Sequence, residues 1–278
     1  MGKVYDHIPA DLITWALQQH VFWVATAPLS ANGHVNLSPK GVSGTFHVVN
    51  QNKVWYEDLT GSGVETISHL RENKRITIMF NAFEGGPRIL RLFGTGTVHE
   101  FGTTEYEALL PQDQRNPGSR AVIVVDVDRV GSSCGYAVPF YTYAGPRDTL
   151  ANWVMKLEHK DREQADREPG TTGPGGLVAY WKKTNLKSID GIPGLESAPA
   201  SGVTPLSFEK EKEILARAGN RKAQPTADQV VRVAESRGAG EHVRLLLAFV
   251  VGIVVATFYG EFSVLAGESL GKLGLLSV

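Results

Sequence analysis

The sequence predicts a mainly β fold with flanking helices (α+β), a barrel or sandwich followed by a helical C-terminal tail. Three observations carry that prediction. Short runs rich in β-branched and aromatic residues recur along the first half of the chain, each bounded by Gly, Asn or Pro. Segments with helical apolar spacing are few and lie between those runs. After Leu195 the texture changes to a small-residue linker and then to one uninterrupted apolar stretch.

The elements follow in chain order. Residues 11–20 form an entry helix with Leu12, Trp15 and Ala16 on one face. The run 21–27 (VFWVATA) is a strand, and 45–49 and 53–56 are two more, joined by an Asn50-Gln51-Asn52 hairpin turn. A helix over 64–72 carries the stripe Val64, Ile67 and Leu70. Strands follow at 75–80 (RITIMF), 88–100 and 121–127, with Gly94 and Gly96 marking a bulge or sharp bend in the second. Between the last two, a helix over 103–110 starts at a Thr103 N-cap, with Glu105 and Glu107 favourable to its dipole. The helix 153–167 is highly charged and ends before Pro169-Gly170; its apolar stripe stops at Leu157, so its far half is expected in solvent. Beyond the linker 196–205 (ESAPASGVTP), a Glu/Lys run at 209–213 and a Thr226-capped segment to Arg237 are candidate short helices, and no internal repeat is present.

Composition narrows the function. The 278 residues hold 28 Lys plus Arg against 29 Asp plus Glu, a net charge of −1, which argues against general nucleic-acid binding through counterion release. With 42% hydrophobic and 21% charged residues the chain is of globular composition. The single cysteine, Cys134, excludes an intramolecular disulfide and Cys-rich zinc modules. The start MGKVYDHIPADLITW has no apolar signal core, and Asp6 stands where a myristoylation signal wants Ser or Thr. These features predict a reduced, intracellular, mainly soluble protein.

Several catalytic signatures fail. Gly61-Ser62-Gly63 and Gly94-Thr95-Gly96 each open a GxGxxG, but Thr66 and His99 stand at the sixth positions. No HExxH is present among the eight His, and no metal site is predicted. Residues 131–135 (GSSCG) fit GxSxG formally, yet no helical pattern follows, so a Gly/Ser turn after a strand is expected there rather than a nucleophile elbow.

A more specific signal is a pair of segments: Asn36-Leu37-Ser38-Pro39-Lys40-Gly41, and Trp55 through Gly63 (WYEDLTGSG), which runs from a strand into a helix. A Thr/Gly/Ser turn at a helix N-terminus offers hydroxyls and unpaired N–H donors to a phosphate, and Lys40 or Arg91 offers a cation. An ordinary helix start beside a surface lysine fits the same pattern.

In order, VNLSPKGV, WYEDLTGSG, HLRENKRITIMF and RLFGTGTV resemble the pyridoxamine 5'-phosphate oxidase-like flavoproteins. The resemblance covers about residues 5–195. Its segments Ser133-Cys134-Gly135-Tyr136 and 181–195 (WKKTNLKSIDGIPGL) are similar to a fungal branch. It implies an FMN-binding split β-barrel and a homodimer with two FMN sites at the subunit interface. Carried over residue by residue, it places Asn36, Ser38 and Lys40 on a strand facing the flavin ring and ribityl chain, and Tyr56 and Asp58 on the next strand. Thr60, Gly61 and Ser62 match the phosphate turn, Arg91 a basic position near the phosphate, and Trp181 and Lys183 a late segment reaching the partner's flavin. Tyr56 and Trp181 fit equally as core aromatics. The segment at 181–191 lacks the Arg/His pair with which vitamin B6 oxidases hold their substrate, a departure that argues against that strict activity.

The implied function is an FMN-dependent oxidoreductase acting on a small molecule, with a donor such as NAD(P)H and no catalytic residue singled out. The alternatives are a non-catalytic flavin-binding or storage module, and haem binding or degradation on the same barrel, for which His47, His69 and His99 are candidate ligands. The implied organisation is a flavin domain over 1–195, a linker with short helices over 196–240 and a hydrophobic segment over 241–278. Within the last, 245–259 (LLLAFVVGIVVATFY) is apolar on every face and flanked by Arg244 and Glu261. It is a candidate membrane anchor for a cytoplasmic domain, and a buried helix is the alternative for so short a run.

Overall fold

A computed structural model describes residues 2–202. The candidate helices at 209–213 and 226–237 and the apolar run 245–259 lie outside the described residues. The elements are β1 (Lys3–Tyr5), α1 (Ala10–Leu17), β2 (Phe22–Thr26), β3 (Asn36–Lys40), β4 (Phe46–Asn50), β5 (Lys53–Leu59), α2 (Glu65–Asn73), β6 (Arg75–Asn81), β7 (Ile89–Glu100), α3 (Thr104–Leu109), β8 (Ser119–Ser133), α4 (Thr149–Arg167) and α5 (Leu177–Thr184), followed by a 3₁₀ turn at Ala198–Ala200.

All eight strands belong to one antiparallel sheet in the order β3-β2-β6-β7-β8-β5-β4, with β1 added on β8. The two ends of that order, β3 and β4, are not hydrogen-bonded to each other, yet the sheet curls until its ends share a core. Phe22 of β2 lies 5.2 Å from Phe46 of β4 and 5.6 Å from Tyr56 of β5, and Phe46 lies 5.0 Å from Phe80 of β6 (ring centroids). The barrel is thus closed on one side by side-chain packing rather than by a ladder, which makes it split. Ile78, Leu92, Ile123 and Val125 fill the same interior, and Ile67 and Leu70 of α2 pack against it.

Gly94 is the predicted bulge: the β7–β8 register shifts between Phe93 and Gly94, and a Cβ there would stand 2.0 Å from the Asp126 carbonyl oxygen. Thr103 caps α3 as predicted, its Oγ1 accepting from the Tyr106 amide. Two expectations are corrected and two elements are added. Strand β8 runs through Gly131, Ser132 and Ser133, which pair with β1 and β7, so the GSSCG segment is mostly strand and neither a turn nor an elbow. Strand β1 and helix α5 were not apparent from periodicity. The far half of α4 is not all solvated: Glu158 and Asp161 are buried, the first paired with Arg115 at 2.7 Å and the second accepting from the amides of Gly173 and Val178.

Candidate functional site

Strand β3 sits at the end of the sheet order, which is where Pro39, lacking a ladder donor, is tolerated. Its period-2 alternation leaves Leu37 and Pro39 exposed and turns Asn36, Ser38 and Lys40 to the other, half-buried face. There they line a cavity of about 810 Å³ together with Thr60, Gly61, Ser62 and Gly63 of the β5–α2 turn. The two segments picked out from sequence therefore meet. Asn36 Nδ2 donates to Thr66 Oγ1 at 3.0 Å, fastening β3 to the first turn of α2, and Ser38 Oγ donates to Asn36 Oδ1 at 3.0 Å.

The cavity's electrostatic centre is Asp58, which has no exposed surface. Lys40 Nζ meets its Oδ1 at 2.7 Å, and Arg120 Nε meets its Oδ2 at 2.8 Å. Burial raises the Asp58 pKa, but the Arg120 and Lys40 charges outweigh it and hold the carboxyl at about 2. Two cations therefore share one buried anion at the Lys40/Arg120 side of the cavity. Arg120 also donates to the Gly63 carbonyl at 2.8 Å, placing its guanidinium under the turn. Helix α2 begins at Glu65 with no side-chain cap, so its first N–H groups are open to an anion. Glu57 also lines the cavity; burial pushes its pKa up, against bonds from the Asn116 amide and side chain.

The predicted residues separate into groups. Asn36, Ser38, Lys40, Thr60, Gly61 and Ser62 line the cavity, and Asp58 stands behind it, bonded to Lys40 and Arg120. Thr60 is 1% exposed, and its hydroxyl is committed: Oγ1 donates to the Gly118 carbonyl at 2.6 Å and accepts from Trp181 Nε1 at 2.9 Å. Tyr56 and Trp181 are core aromatics, 0% and 1% exposed. Arg91 lies on β7 with Nη1 3.4 Å from Ser133 Oγ, outside the cavity lining, and Lys183 is an exposed residue of α5. The late segment closes over its own chain's turn. Asn185 Nδ2 donates to the Gly61 carbonyl at 3.0 Å, and Lys187, Ser188 and Ile189 join the cavity wall.

Comparison with known proteins bears on this arrangement. A family model described as pyridoxamine 5'-phosphate oxidase matches residues 10–134. A relative from Aspergillus flavus, the pyridoxamine 5'-phosphate oxidase family protein ustO, is 39% identical over 202 residues, covering 71% of this chain and 80% of that protein. The chain belongs to the pyridoxamine 5'-phosphate oxidase family.

Solved structures similar to this family member include HupZ from Group A Streptococcus, 25% identical with a TM-score of 0.37 over 44% of this chain and 91% of that one. They also include an FMN-binding protein from Syntrophomonas wolfei, 14% identical with a TM-score of 0.32 over 44% and 82%. HutZ of Vibrio cholerae, described as a heme storage protein, is 14% identical with a TM-score of 0.33 over 46% and 97%. In this pyridoxamine 5'-phosphate oxidase family chain, sequence reasoning missed Arg120 and Lys187. Arg120 was legible only as a charge placed directly before the apolar run 121–127, a position where a strand enters the core. Lys187 carries no local signal. Its place in the wall depends on the chain reversal that the Lys187–Pro193 bridge closes.

Proposed function

We propose that the chain binds FMN in the cavity between β3 and the β5–α2 turn and acts as an FMN-dependent oxidoreductase on a small molecule. The observation that carries this reading is the convergence of Lys40, Arg120, Ser62 and the uncapped start of α2 on one cavity of about 810 Å³. The size is that of a cofactor pocket. The donor set is that of a phosphate site, with cations, a hydroxyl and unpaired amides on one wall. The turn has room as well, since a Cβ at Gly61 would meet nothing within 4 Å.

In this reading Lys40 and the first amides of α2 hold the phosphate, and Ser62 adds a hydroxyl. Asp58 keeps Lys40 and Arg120 in place. Asn36 and Ser38, tied to each other and to Thr66, orient the rest of the cofactor along β3. FMN, when bound, supplies hydride chemistry that no side chain of the cavity offers. The family resemblance supports a homodimer, with NAD(P)H as candidate electron donor. His47, His69 and His99, the histidines considered for haem, line neither this cavity nor the second large one, which His20 lines.

The test is to purify the full chain, record its visible spectrum and titrate FMN. Flavin bands with saturable binding are expected, weakened by Lys40→Ala, and bleaching by NADH or NADPH would mark an enzyme rather than a store. Haem bands, or no flavin uptake, would overturn the reading.

We further propose that residues 245–259 anchor this domain to an intracellular membrane. Among the described residues no helix is long and apolar enough to cross a membrane. The proposal therefore rests on the charge-free run and its flanks, Arg244 and Tyr259. Sedimentation of the full chain with membranes, lost when residues 240–278 are removed, is the expected result; a full chain that stays in the supernatant without detergent rejects it.

A further inference from the structure

A second cavity, of about 960 Å³, lies beside the first and shares Gly41, Val42 and Leu150 with it. Its walls are aromatic: His20 at the end of the α1 segment, Phe83 in the β6–β7 turn, Tyr141 and Tyr143 in the irregular strap 134–148, and Trp153 of α4. The strap is fastened in place. The Tyr141 amide donates to the Phe83 carbonyl at 3.1 Å, and the Tyr143 amide donates to Glu84 Oε1 at 2.9 Å. The Tyr143 ring lies flat on His20, with centroids 3.7 Å apart and planes 8° from parallel.

One polar group in this wall is directional. Asn81 is 6% exposed and lines the cavity. Its carboxamide is oriented unambiguously: Trp23 Nε1 can only donate, and it sits 2.9 Å from Asn81 Oδ1. The amide nitrogen of Asn81 is therefore left over. It has no protein partner among the described residues, and it is not sealed from the cavity. A ligand oxygen placed against that nitrogen would give it the acceptor the protein does not supply.

We propose that this cavity is the substrate pocket: it takes a flat aromatic molecule bearing a carbonyl or phenolic oxygen, with the ring between the aromatic walls and the oxygen on Asn81 Nδ2. That it is a substrate, rather than only a ligand, rests on the flavin reading of the adjoining cavity. Five aromatic rings select a planar apolar body, since ring pairs gain from stacked or edge contacts beyond area burial. The Asn81 donor selects an oxygen acceptor, and an analogue lacking it leaves Asn81 unpaired. The wall common to both cavities brings such a molecule next to the cofactor site without overlapping the phosphate turn.

The test uses the full chain, with and without added FMN, and three probes followed by calorimetry: acetonaphthone, ethylnaphthalene (the ring without the oxygen) and cyclohexyl methyl ketone (the oxygen without the aromatic ring). Acetonaphthone is expected to bind about tenfold more tightly than either control. Asn81→Asp, which keeps an acceptor for Trp23 but replaces the donor, should erase the preference over ethylnaphthalene. Tyr143→Ala, which removes the His20 stack, should weaken both aromatic probes alike. In the flavin-loaded chain acetonaphthone should also perturb the flavin absorption. Equal affinities for all three probes, or a preference that survives Asn81→Asp, overturn the pocket assignment. Flavin uptake without probe discrimination rejects the pocket alone, whereas probe discrimination in a chain that takes up no flavin rejects the cofactor reading and leaves the aromatic site standing.

Discussion

Asp58 shows how much one buried carboxylate holds. Its pKa of about 2 lies below the ordinary 3.8, so its contribution to stability is complete above the unfolded value and is lost as pH falls through the folded one. The shift corresponds to about 2 kcal/mol, and acid unfolding should show that loss between pH 4 and pH 2. Asp58→Asn should remove this acid limb. It should also destabilise the chain by about 3–5 kcal/mol in urea unfolding at neutral pH, because Arg120, 5% exposed, keeps its charge and loses its carboxylate. The two hydroxyls of the β5–α2 turn should behave differently from each other. Thr60→Ala should cost about 1–3 kcal/mol of stability, since both Gly118 and Trp181 bond to that oxygen. Ser62→Ala, at an exposed position, should leave the thermal midpoint unchanged and raise the FMN dissociation constant. Sequence alone shows two equivalent hydroxyls flanking a glycine. The distinction depends on partners 58 and 121 residues away, which no local pattern encodes. By the same reasoning Arg91 was a reasonable cation to expect near the turn, and the β5–β8 pairing of Asp58 with Ala121 is what brings Arg120 into the cavity lining.

Gly118 joins three elements. Its carbonyl accepts from both the amide and the hydroxyl of Thr60, and its amide donates to Glu158 Oε1 of α4 at 2.7 Å. With φ of +74° and a Cβ position 2.8 Å from the Val154 side chain, it admits no larger residue. Gly118→Ala should therefore lower stability by about 1–3 kcal/mol, read from the shift of the urea midpoint. Glu158→Ala should cost more, about 3–5 kcal/mol, because Arg115 would remain buried without its carboxylate. Most strands were legible because each carries its own apolar alternation, as in β2 and β6. The elements that were not legible lack such a signal. β1 is three residues, two of them exposed. The end of β8 passes through Arg129, Gly131 and two serines, and is held by its neighbours rather than by burial. The acids of α4 read as a solvated face because their partners, Arg115 and the Gly173 and Val178 amides, lie in other segments.

At the scale of the molecule, β8 is the strand on which the sheet depends. It pairs with β7 along one side, and with β5 and then β1 along the other, and Lys3 meets Ser132 across that last ladder. A chain ending at residue 118 lacks that strand and should show no protected amides in β5 or β7 by hydrogen exchange, whereas one ending at residue 202 should protect both. The covering elements come later still: Trp181 and Asn185 reach the β5–α2 turn only after α4 has been laid down. During synthesis, then, the N-terminal strand waits for a partner about 130 residues behind it, and the β3-β2-β6-β7 and β4-β5 ladders emerge as two halves that only β8 joins into one sheet. Folding of such non-local pairings is expected on a scale of about milliseconds to seconds. Until residues 119–133 clear the exit tunnel the nascent chain would then expose the unjoined edges of both halves, a client for chaperones.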